Sequence, residues 1–295
     1  PVSMQAPNGV IDIVVDNEQD AVKVAQQYIG YFQGRTQDWQ CADQRTLRHV
    51  VPEKRTRVYD VREVIHTVCD IGSVLELRRD FAPGMITALA RLEGRAVGLI
   101  ANDPRHLGGA IDAPGADKAA RFMQLCDAYD IPLIALCDTP GFMVGPDAEK
   151  TATVRHFSRM FLAAASITVP YFTVVLRKGY GLGAQAMTAG SLLAPDFTVA
   201  WPTGEFGPMG FEGAVRLGFS KQLDAIEDPV QRQQLFDGLV AAAYQKGKAL
   251  NMAAHLELDD VIDPADTRRW LVRGLAAMPP VVPREGRKRS FVDAW

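Results

Sequence analysis

Four cysteines in 295 residues, Cys41, Cys69, Cys126 and Cys137, stand too far apart for paired metal-ligand spacing, and only five histidines accompany them. Neither a disulfide framework nor a zinc site is suggested, and a reducing cytoplasm fits best. No apolar run approaches the roughly 20 residues a membrane span requires, and the N-terminus lacks a basic-then-apolar signal pattern. The net charge of −3, from 32 basic and 35 acidic residues, argues against a nucleic-acid surface. The small basic stretch from Arg284 to Arg289 reads as a solvated tail. No Gly-x-Ser-x-Gly elbow occurs and no serine sits at a strand end, so acyl-enzyme chemistry has no support. His106 and His156 read as structural or surface residues. No Gly-Lys-Ser/Thr occurs either, which removes the nucleoside-triphosphate loop.

What is present is a chain with 47% apolar residues, enough to build one large or two ordinary domains. It begins at Pro1 without an initiator methionine and reads as a processed or excised piece. Residues 1 to about 55 look peripheral, with a helix over about 18–32 followed by a polar strandless segment through Trp39 and Arg45. This reads as a linker from a preceding domain or an arm laid on the surface, and residues 56–295 as the main domain. Within that domain Val61–Val68 is a helix candidate and Ser73–Leu77 a strand. Met85–Leu92 and Arg95–Asn102 form a hairpin through Glu93-Gly94. A helix over 115–129 precedes a strand over 131–137, and a helix over 149–166 precedes a strand over 168–176. Another short strand spans 198–201, and mostly helix follows Pro229. Such alternation with short connections predicts stacked α/β architecture. The glycine-rich loops 138–145, 179–183 and 204–213 follow strand ends, which in parallel sheets converge on one side.

The most informative stretch is Thr173–Met187, where a β-branched run passes through Gly179, Gly181 and Gly183 into a small-residue helical pattern beginning near Ala184. Glycines there let backbone N–H groups approach a ligand, and a helix N-terminus adds partial positive charge. The place suits an oxygen that becomes negative during a reaction; the competing reading is a tight connection that binds nothing. Gly179–Ala184 resembles half of a dinucleotide fingerprint, but Asp196 is a poor ribose partner, because Pro195 precedes it and a strand follows. Asp138, Asp147, Glu205 and Glu212 lie on the same loops without metal-ligand spacing and read as loop-holding groups. A site of backbone dipoles, poor in acid–base side chains, remains. It suits enolate-type chemistry in which the reacting partners bring their own base.

Several segments then resemble a known family: Gly108–Asp112, Lys118–Leu133, Asp138-Thr-Pro-Gly-Phe-Met-Val-Gly145, the Leu176–Gly181 loop and Ala200–Val215. Together they are similar to the C-terminal half of the carboxyltransferase (β) subunit of biotin-dependent acyl-CoA carboxylases of the propionyl-CoA and acetyl-CoA type, in order from about Tyr59 to Ile262. The resemblance implies a crotonase-type (ClpP/crotonase-like) α/β fold of repeated ββα units, with an N-terminal linker arm and C-terminal helices. It implies that an N-terminal domain holding the acyl-CoA is missing, that the active site forms between domains of different subunits, and that this piece alone is inactive. The implied reaction transfers the carboxyl group from carboxybiotin, borne on a carrier domain, to the α-carbon of an acyl-CoA. CO2 is released, the biotin enolate takes the α-proton, and the carbanion attacks CO2. The biotin-side hole falls on the amides of Leu182 and Gly183, or of Gly183 and Ala184 if shifted by one.

The same resemblance places Gln185 on the acyl pocket, where relatives are often acidic or apolar, with bonding to helix backbone as the alternative. Tyr180 and Gly181 lead into the hole. Asp138, Thr139, Pro140, Gly141 and Phe142 wall the biotin side, and Met209 and Gly210 close the pocket. Implied partners are biotin carboxylase, the biotin carboxyl carrier, the N-terminal carboxyltransferase domain and further copies, from dimer to hexamer. The implied location is the cytoplasm, or the mitochondrial matrix in a eukaryote. A decarboxylase subunit with the same fold, and a non-catalytic assembly domain built on the helices after Pro229, are the rival readings.

Overall fold

Glu93 and Gly94 both take left-handed backbone angles (φ 50° and 76°), the geometry that joins two antiparallel strands with the right twist. They connect β2 (Met85–Leu92) to β3 (Arg95–Asn102), after β1 (Leu75–Leu77). In this computed structural model, which describes residues 1–282 and 285–294, the sheet continues through β4 (Leu133–Thr139), β5 (Tyr171–Tyr180), β6 (Phe197–Ala200), β7 (Glu205–Gly207) and β8 (Asp260–Val261). The order is β1-β2-β3-β4-β5-β6-β8, with β7 paired to the end of β5. β1–β3 are antiparallel, whereas every pairing from β3 onward is parallel.

Alternate residues along the central strands feed two separate cores. Leu133, Ala135, Cys137 and Val175 face one side; Ile134, Leu136, Val174 and Leu176 face the other. A parallel sheet needs cover on both faces because both are apolar. Here α1 is Glu18–Gly30, α2 Val61–Val68, α3 Ala113–Ala128, α4 Thr153–Ser166, α5 Gly181–Met187, α6 Phe211–Gly218, α7 Pro229–Lys246 and α8 Thr267–Ala277. α3, α4 and α5 contribute to the first core, and α2 and α8 to the second. α3 starts where Asp112 accepts the Gly115 amide (2.9 Å), and its Ala116, Ala119, Ala120 and Met123 lie on one buried stripe. β2, β3 and α3 make an explicit ββα unit, after which β4 and β5 each lead to a helix.

The N-terminal segment is held by the body. Tyr31 belongs to the first core and Leu47 to the second, so the segment crosses from one face of the sheet to the other. On the way Thr36 donates to Gly94 (3.0 Å) and Ile71 to Gln40 (2.8 Å). The C-terminal tail differs from the solvated one expected. Lys288 reaches Asp127 (3.0 Å) and Asp130 (2.9 Å), and Arg289 reaches Asp127 (2.5 Å). Asp127 is 2% exposed, and a carboxylate so buried requires cations and donors around it; Arg284 lies outside the described residues.

Candidate active site

The ends of β4 and β5 are locked by charge. Asp138 is fully buried and accepts from the Arg177 guanidinium (3.0 Å), Lys178 Nζ (3.2 Å) and the Lys178 amide (3.1 Å). Its own amide donates to Asn102 Oδ1 (3.1 Å). Lys178 Nζ also donates to the Gly108 carbonyl (2.6 Å), drawing in the Gly108-Gly109 loop. Asp138 therefore fixes strand ends rather than facing a ligand. Beyond it the chain turns at Gly141 (φ 122°), where Thr139 Oγ1 accepts the Gly141 amide (3.1 Å). Ile111 donates to the Gly141 carbonyl (3.0 Å) and accepts from Met143 (2.8 Å). Phe142 stacks on Phe157, ring centres 3.9 Å apart.

Against this pinned loop sits the start of α5. Sequence spacing predicted a loop over Gly179–Gly183 and a helix from about Ala184; instead β5 runs through Tyr180 and the helix opens at Gly181. The reason is β7: Lys178, Gly179 and Tyr180 pair with Glu205, Phe206 and Gly207, which extends the strand. The whole reversal falls on Gly181 at φ 57°, where a Cβ would lie 2.7 Å from the Pro208 carbonyl oxygen. A Cβ on Gly183 would lie 2.7 Å from Gly141 Cα. Only glycine lets the helix end enter between these two loops.

That entry leaves donors open. Tyr180 is the N-cap and offers no side-chain cap, so its carbonyl takes the Ala184 amide, while the amides one and two residues inside the helix have no i−4 partner. Neither Leu182 nor Gly183 donates to a loop carbonyl or a side chain among the described residues. Leu182 is 62% exposed and Gly183 buried, which puts this pair of N–H groups at the boundary between protein and solvent. Val144 and Met209, on the 138–145 and 204–213 loops, are exposed by 78% and 41%.

The acid–base groups of these loops are engaged with other side chains. Glu205 accepts from Arg55 Nε (2.6 Å) and from the Tyr180 hydroxyl (3.0 Å), and Glu212 from the Tyr244 hydroxyl (2.9 Å). Burial first, then the Glu205 charge, pushes the Tyr180 phenol well above its ordinary pKa. Burial likewise pushes the Cys137 thiol up to about 12, which leaves it a packing residue. His156 pairs with Asp117 (2.7 Å) on α4 and α3, and Asp196 accepts the Tyr171 amide (2.8 Å) at the start of β5.

The sequence-predicted residues Asp138–Phe142, Tyr180–Gln185 and Met209-Gly210 thus lie on loops that touch. Gln185 is exposed and its side chain makes no hydrogen bond among the described residues, so the bonding alternative is not observed. Sequence reasoning missed Arg55 and Tyr244, which reach the site from distant segments; no local pattern announces either. It also missed Arg177 as the partner of Asp138, although a charge at a strand end beside a second buried strand end was a usable signal.

A family model described as "Carboxyl transferase domain" matches residues 3–279. The chain belongs to the carboxyl transferase domain family. This carboxyl transferase domain is 36% identical over 283 residues to the methylmalonyl-CoA carboxyltransferase 12S subunit of Propionibacterium freudenreichii subsp. shermanii, covering 92% of this chain and 52% of that protein. It is 36% identical over 296 residues to the biotin-dependent acetyl-/propionyl-coenzyme A carboxylase beta6 subunit of Mycobacterium tuberculosis, covering 99% of this chain and 62% of that one. Among solved structures, a single-chain, multi-domain long-chain acyl-CoA carboxylase superposes with TM-score 0.86 at 58% identity, over 92% of this chain and 27% of that one. The transcarboxylase 12S hexamer, solved with methylmalonyl-coenzyme A, superposes with TM-score 0.81 at 33% identity, over 95% of this chain and 55% of that one. The chain spans about half the length of the curated relatives it matches. The expected crotonase-like α/β fold is therefore the fold present.

Proposed function

We propose that this domain supplies the biotin-side half of an acyl-CoA carboxyltransferase, with the amides of Leu182 and Gly183 as its oxyanion hole. The observation that carries the reading is the pair of amides at the start of α5, left without i−4 partners by helix geometry and opening at a solvent boundary between two glycine-dependent contacts. It favours Leu182 and Gly183 over Gly183 and Ala184, because the Ala184 amide is engaged by the helix. Carboxybiotin, borne on a carrier domain or subunit, supplies the carboxyl group destined for the α-carbon of the acyl-CoA.

The domain's own part is electrostatic. Two N–H groups and the helix dipole stabilise an oxygen that gains negative charge as the carboxyl group leaves. Preformed donors of this kind need no rearrangement at the moment of reaction, and loss of one costs on the order of 10²–10³ in rate. Thr139–Phe142, anchored by the buried Asp138, walls one side of the hole, while Tyr180 and Gly181 aim its amides. Gln185 lies a turn along α5 toward the acyl group, and Met209 and Gly210 form the opposite rim. The exposed Val144, Leu182 and Met209 mark the surface on which the acyl-CoA-holding domain closes; the 12S hexamer is the assembly that fits. Residues 1–55 form the segment leading in from that other half.

The test uses the complete enzyme with free biotin and malonyl-CoA or methylmalonyl-CoA as carboxyl donor. Biotin-dependent consumption of the donor is expected. A complete, folded enzyme that moves no carboxyl group in either direction refutes the reading.

A further inference from the structure

The bend that aims α5 is tied to three remote parts of the chain through one carboxylate. Tyr180, 3% exposed, is the last residue of β5 and the N-cap of α5. Its ring meets Phe211 of α6 edge-on at 5.4 Å, and its hydroxyl donates to Glu205 Oε2 (3.0 Å). The other oxygen of Glu205 accepts from Arg55 Nε (2.6 Å). The Arg55 guanidinium lies over the Tyr244 ring of α7 at 3.7 Å from its centre, and Tyr244 meets Phe211 at 4.7 Å. The backbone carbonyls of Arg55 and Arg57 take Arg177 Nη1 (3.3 and 2.8 Å), the same guanidinium that neutralises Asp138. The N-terminal segment thus grips both loops that frame the amides of Leu182 and Gly183.

We propose that Tyr180, Glu205 and Arg55 are positioning residues that act as one unit, so that docking of the N-terminal segment sets the direction of the Leu182 and Gly183 amides. This rests on the carboxyltransferase reading given above. Tyr180 precedes the only left-handed residue of the bend, Gly181. A rotation at that point swings the following amides together, and hydrogen-bond strength falls steeply with angle. Glu205 is the joint: Tyr180 and Arg55 each touch it and neither bonds to the other. Removing either end leaves the joint free on one side.

The experiment is a double-mutant cycle of Tyr180→Phe and Arg55→Met in the complete enzyme, with kcat, KM and amide hydrogen exchange over residues 180–186 as readouts. Tyr180→Phe keeps the ring against Phe211 and removes only the hydroxyl. Each single variant is expected to lose about tenfold in kcat with KM for the acyl-CoA within about twofold, and the double variant about tenfold rather than a hundredfold, as for residues that work as a unit. Exchange over 180–186 is expected to quicken in both singles and no further in the double, while β2 and β3 stay unchanged. Unchanged kcat and exchange in both singles, or losses that multiply in the double, overturn the proposal. An inactive wild-type enzyme refutes the carboxyltransferase reading instead, and the exchange data still decide whether the three residues hold the bend.

Discussion

Gly183→Ala adds one methyl group where there is backbone rather than a yielding side chain. The new Cβ would stand 2.7 Å from Gly141 Cα and 3.0 Å from the Phe142 amide nitrogen, against 3.4 Å for ordinary contact, so the two must separate by roughly 0.7 Å (3.4 − 2.7). The 138–142 loop resists, because Thr139, Ile111 and the Phe142–Phe157 stack pin it. Overpacking of this kind costs about 1–3 kcal/mol, a fall in Tm of roughly 2–10 °C for a chain of this size. The effect on chemistry is larger, since the displaced group carries one of the proposed donors, and a misplacement near 1 Å costs about 10²-fold. We expect kcat for biotin-dependent carboxyl transfer in the complete enzyme to fall by about two orders of magnitude with the fold retained. Gly218→Ala is the matched control, because a Cβ there meets only open space. Wild-type turnover in Gly183→Ala, or an equal loss in Gly218→Ala, would refute the reasoning.

Further expectations concern stability. Asp138→Ala leaves Arg177 and Lys178 facing each other without their shared carboxylate, and a broken buried ion pair costs about 3–5 kcal/mol; an unchanged denaturation midpoint would contradict this. Lys118, 2% exposed, gives its Nζ hydrogens to the Arg78 and Phe81 carbonyls (2.8 Å each), and burial lowers its pKa to about 7. Between about pH 7 and the ordinary lysine value near 10 the unfolded chain therefore binds one more proton than the folded one. Wild-type stability should rise with pH across that window relative to Lys118→Met, by up to about 1.4 kcal/mol per pH unit, and parallel urea midpoints for the two proteins would rule it out. Arg289→Ala removes a charged bond to Asp127 and should cost about 1–3 kcal/mol; the tail should also be cut faster by protease, and an unaltered cleavage rate would show that the clasp holds nothing.

Much of this architecture was legible locally. The Glu93-Gly94 turn, the apolar runs of β2 to β5 and the capped start of α3 each carry their cause within a few residues. What could not be read depended on pairing across distance. β7 looks like loop because its strand character comes from β5, and that same pairing moved the start of α5 from Ala184 to Gly181. The basic tail reads as solvent-facing until Asp127 is found buried beneath it. Arg55 lies in a segment with no periodicity, and the partners of its side chain are 150 and more residues away. The glycines of the site were visible, but only contacts with Gly141 and Pro208 show why two of them are required.

The most direct measurement is the position of the biotin ureido oxygen in a structure of the complete enzyme with biotin bound. The account predicts that oxygen about 2.7–3.1 Å from the amide nitrogens of both Leu182 and Gly183. A biotin oxygen held by side chains elsewhere, with those two amides bonded to protein carbonyls, would contradict it.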